Sequence, residues 1–197
     1  CPAEVDMDSS LRPENIEKLD LSWCSSLTNM DVLSGLTNLT SLDLGFNSLK
    51  DVDGLGAWPK LTSLSLGSDC LTKVDALSGL TNLTWLSLDG CSSLSNVDAL
   101  SGLTNLTSLS LNDCSSLSDV DALGSLTNLI DLDLSGCESL RKTDGLASLT
   151  NLTQLNLAHC KFLPNVDCMT NLTNLTRLTL NSSECLDSVY DLMSLTA

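Results

Sequence analysis

The strongest constraint in this chain is a repeat. Residues 103–125, LTNLTSLSLNDCSSLSDVDALGS, recur as near-copies in both directions almost to the ends. Anchored on the first apolar residue of L-x-x-L-x-L, the copies begin at Ile16, Leu39, Leu61, Leu83, Leu106, Leu129, Leu152 and Leu175, spaced 22 or 23 residues apart. Self-similarity at a fixed period in the twenties means stacked units rather than one closed core. In Leu106–Leu111 the leucines alternate with Ser108 and Ser110, which predicts a short strand with one buried face. Leu117 and Val120 turn inward from the connecting arc. Asp121 to Leu126 is too short for a full α-helix and predicts a 3₁₀ or single helical turn on the outer face. No unit can bury its leucines alone, so stability is a sum over neighbour interfaces.

The motif LTNLTSLDL…L…V-D-x-L-x-x-L resembles the short-repeat class of leucine-rich-repeat proteins, the class that includes the bacterial internalins. The resemblance covers nearly all of the chain. It implies an α/β leucine-rich-repeat solenoid, with a curved parallel β-sheet on the concave face and short turns on the convex face. It also implies a protein partner bound on the concave side. Residues 1–15 do not match the repeat and read as an N-terminal segment or partial cap, with Ser10, Pro13 and Glu14 opening a short turn. Residues 16–197 read as about eight repeats. The chain starts at Cys1, as a trimmed chain or a mature lipoprotein would, and stops inside a repeat-like turn, so a fragment of a larger receptor or effector is one reading. One departure concerns the ninth residue of each unit, where the family usually has Asn. Here it is Cys24, Asn47, Asp69, Cys91, Cys114, Cys137, Cys160 and Ser183.

Equivalent atoms on stacked strands lie about 4.8 Å apart and point the same way. A disulfide needs its Cβ atoms closer and turned toward each other. Cys91, Cys114, Cys137 and Cys160 therefore read as a buried row of free thiols, each donating weakly to a backbone carbonyl. Such a row leans toward a reducing cytoplasm, with a secreted or cell-surface location as the alternative. Zinc is disfavoured because there is no C-x-x-C and only one His, His159. The N-x-S/T sequons are mostly one repeated letter group, TNLT, and read as turn chemistry.

The charge balance is 9 basic against 25 acidic residues, a net −16. This argues against nucleic acid or an anionic membrane surface and leaves a basic protein partner or simple solubility. No apolar run is long enough to span a membrane. Much of the acid recurs as Asp53, Asp75, Asp98, Asp121, Asp144 and Asp167, each expected to N-cap an outer turn. Trp58 is expected to pack over the outer arc.

Because the leucines serve the fold, functional information sits at the third, fifth, seventh and eighth residues of each unit. Trp23, Phe46 and Trp85 place three of the six aromatics on the predicted open face, where exposed rings are typical of binding hot spots. Asp113, Asp131 and Asp133 form an acidic group, with Asp89 nearby and His159 and Arg177 beyond. Together these eight residues, Asp89 aside, are the candidate partner-binding set, an apolar anchor with a polar rim. Calcium at the carboxylates is a lesser alternative. No catalytic set, phosphate loop, cofactor motif or metal-ligand spacing is legible. A spacer or surface-display role is the competing reading to protein recognition.

Overall fold

The computed structural model describes residues 12–183, apart from 25, 28, 29, 31, 32, 34, 164 and 165. Most of the expected N-terminal segment, with Ser10 and Cys1, and the C-terminal stretch with Cys185 lie outside these residues. The eight strands are β1 (Lys18–Asp20), β2 (Ser41–Leu44), β3 (Ser63–Leu66), β4 (Trp85–Ser87), β5 (Ser108–Ser110), β6 (Asp131–Asp133), β7 (Gln154–Asn156) and β8 (Arg177–Thr179). They form one parallel sheet in chain order. The register follows the repeat letter for letter: Leu42 pairs Leu64, Leu64 pairs Leu86, and so on to Leu155 with Leu178. This is the leucine-rich-repeat solenoid that the period predicts.

The alternation within each strand sends its leucines inward. Leu64, Leu86, Leu109, Leu132 and Leu155 are buried, with Leu66, Leu88, Leu111, Leu134 and Leu157 beneath the next turn. They join Leu77, Leu100, Leu123 and Leu146 of the outer turns in one continuous core. The outer turns are 3₁₀, at Pro13–Asn15, Asp53–Ala57, Asp75–Gly79, Asp98–Gly102, Asp121–Ser125, Asp144–Ser148 and Asp167–Asn171. From Asp53–Ala57 onward they stack on one another along the convex side. Trp58 takes the place that Leu80 and Leu103 hold in their units; it is fully buried rather than lying over the arc.

The repeating aspartates differ from expectation. They are the first residues of the 3₁₀ turns, while the N-cap residues are Val52, Val74, Val97, Val120, Thr143 and Val166, none with a side-chain cap bond. Where capping occurs it comes from two residues earlier. Asp98 N–H donates to Asn96 Oδ1 at 2.7 Å, and Asp121 N–H donates to Asp119 Oδ1 at 2.9 Å. Asp121 instead binds across units, its Oδ1 accepting from Gly145 N–H at 3.0 Å. A valine has no oxygen to offer, and the Thr143 hydroxyl is engaged with the Cys168 thiol instead.

Side chains join the units where the backbone ladder stops. The amides of Asn82, Asn105, Asn128, Asn151 and Asn174 each donate to a backbone carbonyl 23 or 24 residues earlier, at 2.8–2.9 Å. The thiols of Cys114, Cys137 and Cys160 donate to Leu88, Leu111 and Leu134 carbonyls at 3.3, 3.3 and 3.2 Å, and Cys91 to Leu66 at 3.7 Å. These four are free and buried, as is Cys168, while free Cys70 is exposed. Cys24 is disulfide-bonded, so the thiol row begins at Cys91. Free thiols and a disulfide thus coexist in the chain.

Two outcomes test this packing. Leu132→Ala, in the middle of the column, is expected to lower stability by about 3 kcal/mol. Leu178→Ala, half-buried on the last strand, should cost clearly less, both read from urea unfolding. Burial pushes the Cys91 thiol up to about 11 and the Cys160 thiol up to about 12, and raises Cys114 and Cys137 as well. Unfolded thiols ionise from their ordinary range upward, while the folded ones hold their protons. Stability is therefore complete below about pH 8.5 and falls as pH rises above it. Serine at all four ladder positions should flatten that alkaline decline; an unchanged slope would contradict it. At neutral pH only Cys70 among these free thiols should alkylate without denaturant.

Candidate recognition surface

The sheet's open face carries the third and fifth residues of each unit as two columns. The third-residue column runs Lys18, Ser41, Ser63, Trp85, Ser108, Asp131, Gln154, Arg177, each paired with the next. Ser41, Ser63 and Ser108 are small and leave their part of this face flat, so Trp85, Asp131 and Arg177 rise beside them. All three are exposed. Asp131, Asp133 and Arg177 line one shallow recess of about 210 Å³ with Gln154 and Asn156.

The fifth-residue column is occupied by the fold. Asp133 Oδ1 accepts from Ser135 N–H at 2.8 Å and from the Ser135 hydroxyl, while Oδ2 accepts from Asn156 Nδ2 at 3.1 Å. Asp43 Oδ1 accepts from Gly45 N–H at 2.8 Å. Asp20 accepts from the Ser22 hydroxyl and N–H, which holds its carboxyl below its ordinary value. These aspartates brace the turn that leaves each strand, so Asp133 contributes charge to the face more than reach.

The eighth residues form a third column, along the edge just past the strands. Here the chain turns through left-handed backbone at Trp23, Phe46, Gly90, Asp113, Gly136, His159 and Ser182, with φ between 58° and 75°. The turn lets N–H groups donate to the next unit: Trp23 to Gly45, Gly90 to Asn112, Asp113 to Ser135 and His159 to Asn181, at 2.8–3.0 Å. Left-handed backbone suits Gly and tolerates Asp, and it costs about 1–2 kcal/mol for larger residues. Trp23 and Phe46 accept that cost and are 69% and 58% exposed. Their rings stack in parallel, 4.2 Å between centroids and 11° between planes.

The candidate residues therefore do not form one patch. Trp23 and Phe46 are a stacked pair on the edge, and Trp85, 40% exposed, stands apart on the open face. Asp113 and His159 share the edge column with the pair, separated from each other by Gly136. Asp131, Asp133 and Arg177 cluster at the other end of the face.

Sequence reasoning missed one local feature. Ser68, expected on the open side, is buried, and its Oγ donates to the Leu49 carbonyl at 2.7 Å. Asp69, expected in the buried ladder, is exposed. The hydrogen bond from this edge to Gly67 O comes from Asn47 N–H at 3.1 Å, one residue later than in the other units. The signal was present in the spacing: the units starting at Leu39 and Leu61 are 22 residues long, among mostly 23-residue neighbours.

Comparison with known proteins agrees with this architecture. The family described as "Leucine rich repeat" matches residues 37–92. "Leucine Rich repeats (2 copies)" matches residues 14–57 and 104–148. Together the matches cover more than half of the chain. The search of curated proteins finds no match. Among solved structures, internalin C2 of Listeria monocytogenes is similar at 27% identity and a TM-score of 0.78, over 93% of this chain and 78% of that one. Internalin InlF of the same species gives 28% identity and a TM-score of 0.80, over 93% of this chain and 53% of that one. The functional domain of InlJ, also from Listeria monocytogenes and reported to include a cysteine ladder, gives 25% and 0.65, over 89% and 41%. The chain thus spans about half or less of the length of two of these three. The period, the parallel sheet with its thiol row and these matches lead to one conclusion: the chain belongs to the leucine-rich-repeat family, in its short-repeat, internalin-like form with cysteine along the usual asparagine ladder.

Proposed function

We propose that this chain is a non-enzymatic recognition module that binds a protein partner across the open face of its sheet and the adjoining edge. Leucine-rich-repeat folds generally mediate protein–protein interaction, and among the described residues no helix is long and apolar enough to cross a membrane. Trp23, Phe46 and Trp85 are the apolar anchors. Asp113, Asp131, Asp133, His159 and Arg177 supply the polar rim, and the net −16 favours a basic partner.

The observation that carries this reading is the Trp23–Phe46 stack. Stacking of the units does not require a ring at that turn, because Gly90 and Gly136 fill the same place elsewhere. Two large rings are kept in water on a backbone that disfavours them. Exposed aromatic area of this kind is where interfaces concentrate their binding energy.

Two measurements test the reading. The first is a paired capture from lysate and secreted fractions of the source organism. One bait is the chain as it stands; the other carries Trp23→Ser, Phe46→Ser and Trp85→Ser, with circular dichroism unchanged. A protein retained by the first bait and lost by the second is the expected result. Identical capture by both baits, or none by either, sinks the aromatic face and moves the spacer role ahead. The second is stability. Trp23→Gly with Phe46→Gly loses a stack of about 0.5–1.5 kcal/mol but relieves left-handed strain of similar size. The melting temperature should therefore hardly move. A loss above about 2 kcal/mol, more than a stacked pair supplies, would make the rings structural instead.

A further inference from the structure

The edge column is interrupted beside Phe46. Along the solenoid it reads Trp23, Phe46, Ser68, Gly90, Asp113. Trp23 covers one face of the Phe46 ring. On the other side the next two units offer no side chain to continue the stack. Ser68 is turned into the core and bonded to Leu49, and Gly90 has none. A Cβ built at Gly90 would meet nothing within 4 Å. The result is an open recess of about 290 Å³ whose lining includes Phe46, Ser68, Asp69, Asp89 and Gly90, with Trp23 behind.

The lining includes two carboxylates and no lysine or arginine. Asp89 is held in place, its Oδ1 accepting from the Ser110 hydroxyl and from Asn112 N–H. Asp69 is exposed at the mouth. An aromatic face attracts a cation, and a flat guanidinium can lie on it while its N–H groups reach carboxylates at the sides. An ammonium is a compact point charge and cannot extend the stack in this way. The chain already contains the same pairing elsewhere: the Arg141 guanidinium sits 4.2 Å over the centre of the Phe162 ring.

We propose that this recess is a socket for an arginine side chain on an extended, basic segment of the partner. The guanidinium stacks on the open face of Phe46 as the third member of the Trp23–Phe46 column, above Gly90. Asp69 and Asp89 receive its N–H groups. The acidic surface as a whole draws such a segment in. A sugar ring could also stack on Phe46, but the paired carboxylates and the net charge favour the cation. This inference rests on the recognition reading above and narrows it to one residue type in one place.

The test uses the full chain and three peptides, acetyl-Gly-Gly-X-Gly-Gly-amide, with X as arginine, lysine or citrulline, and a glucose hexasaccharide. Tryptophan fluorescence and the Gly90 amide chemical shift report binding. The arginine peptide is expected to bind at least about fivefold tighter than the lysine peptide and about tenfold tighter than the citrulline one, as a stacked, charged fork requires. Gly90→Phe places a ring in the recess, at a turn where the chain already carries Phe46, and should erase the preference for arginine. Asp69→Asn with Asp89→Asn should do the same without altering the backbone, and decides the matter if Gly90→Phe does not fold. Equal binding of the arginine and lysine peptides, arginine binding unaffected by these variants, or binding of the hexasaccharide alone would overturn the socket. A partner captured equally by the chain and by Gly90→Phe, yet lost by the triple serine bait, would overturn the socket and leave the recognition surface standing.

Discussion

Each unit of this chain is incomplete until the next one closes over it. The leucines of a single strand and a single 3₁₀ turn cover only part of one another, and the rest of their surface is buried by the neighbour 22 or 23 residues away. This dependence explains why the period is strict and why the alternation within each strand does not vary. It also explains where polar groups of the arcs find partners. Carbonyls left over between units are met by Asn amides on one edge and by Cys thiols on the other. Sulfur is a weak donor, yet it suits this place because a thiol is small and itself apolar.

The same dependence divides the surface into columns. A residue at one place in a unit always lies beside its counterparts, so a single change acts within a row of equivalents. On the third-residue column three of eight places are serine, and Lys18, Trp85, Asp131, Gln154 and Arg177 carry the larger side chains. On the fifth-residue column the aspartates are used to hold the turn. On the edge column the backbone is left-handed, which favours glycine, yet it also carries Asp113, His159, Ser182 and the two stacked rings of Trp23 and Phe46. The proposed recognition role places functional character where a unit departs from what its neighbours show to be sufficient.

Much of this was legible from residues alone. The period predicted the solenoid, Leu109 and Leu111 against Ser108 and Ser110 predicted the strand, and Asp121 to Leu126 predicted a turn shorter than an α-helix. The free state of Cys114 and Cys137 followed from spacing, since equivalent positions on parallel strands cannot face each other. The exposure of Trp23, Phe46 and Trp85 followed from their place in the unit. Less legible were the caps, because Asp at the head of each turn resembles an N-cap, and only the path of the chain shows that Asn96 and Asp119 do that work.

What the sequence determined by itself was everything that repeats: strand, register, core and the columns of outward positions. These follow from stacking near-identical units, which buries the leucines in one continuous core. What the tertiary structure decided was what happens where units differ. It paired Trp23 with Phe46 and separated both from Trp85, turned Ser68 inward and Asp69 outward, and opened the recess beside Phe46. It also joined Cys24 in a disulfide, leaving the rest of the cysteine row free. The reason is geometric. A loop one residue shorter than most of its neighbours must spend its side chains differently to meet the same core, and the periodic pattern alone does not say which residue turns in.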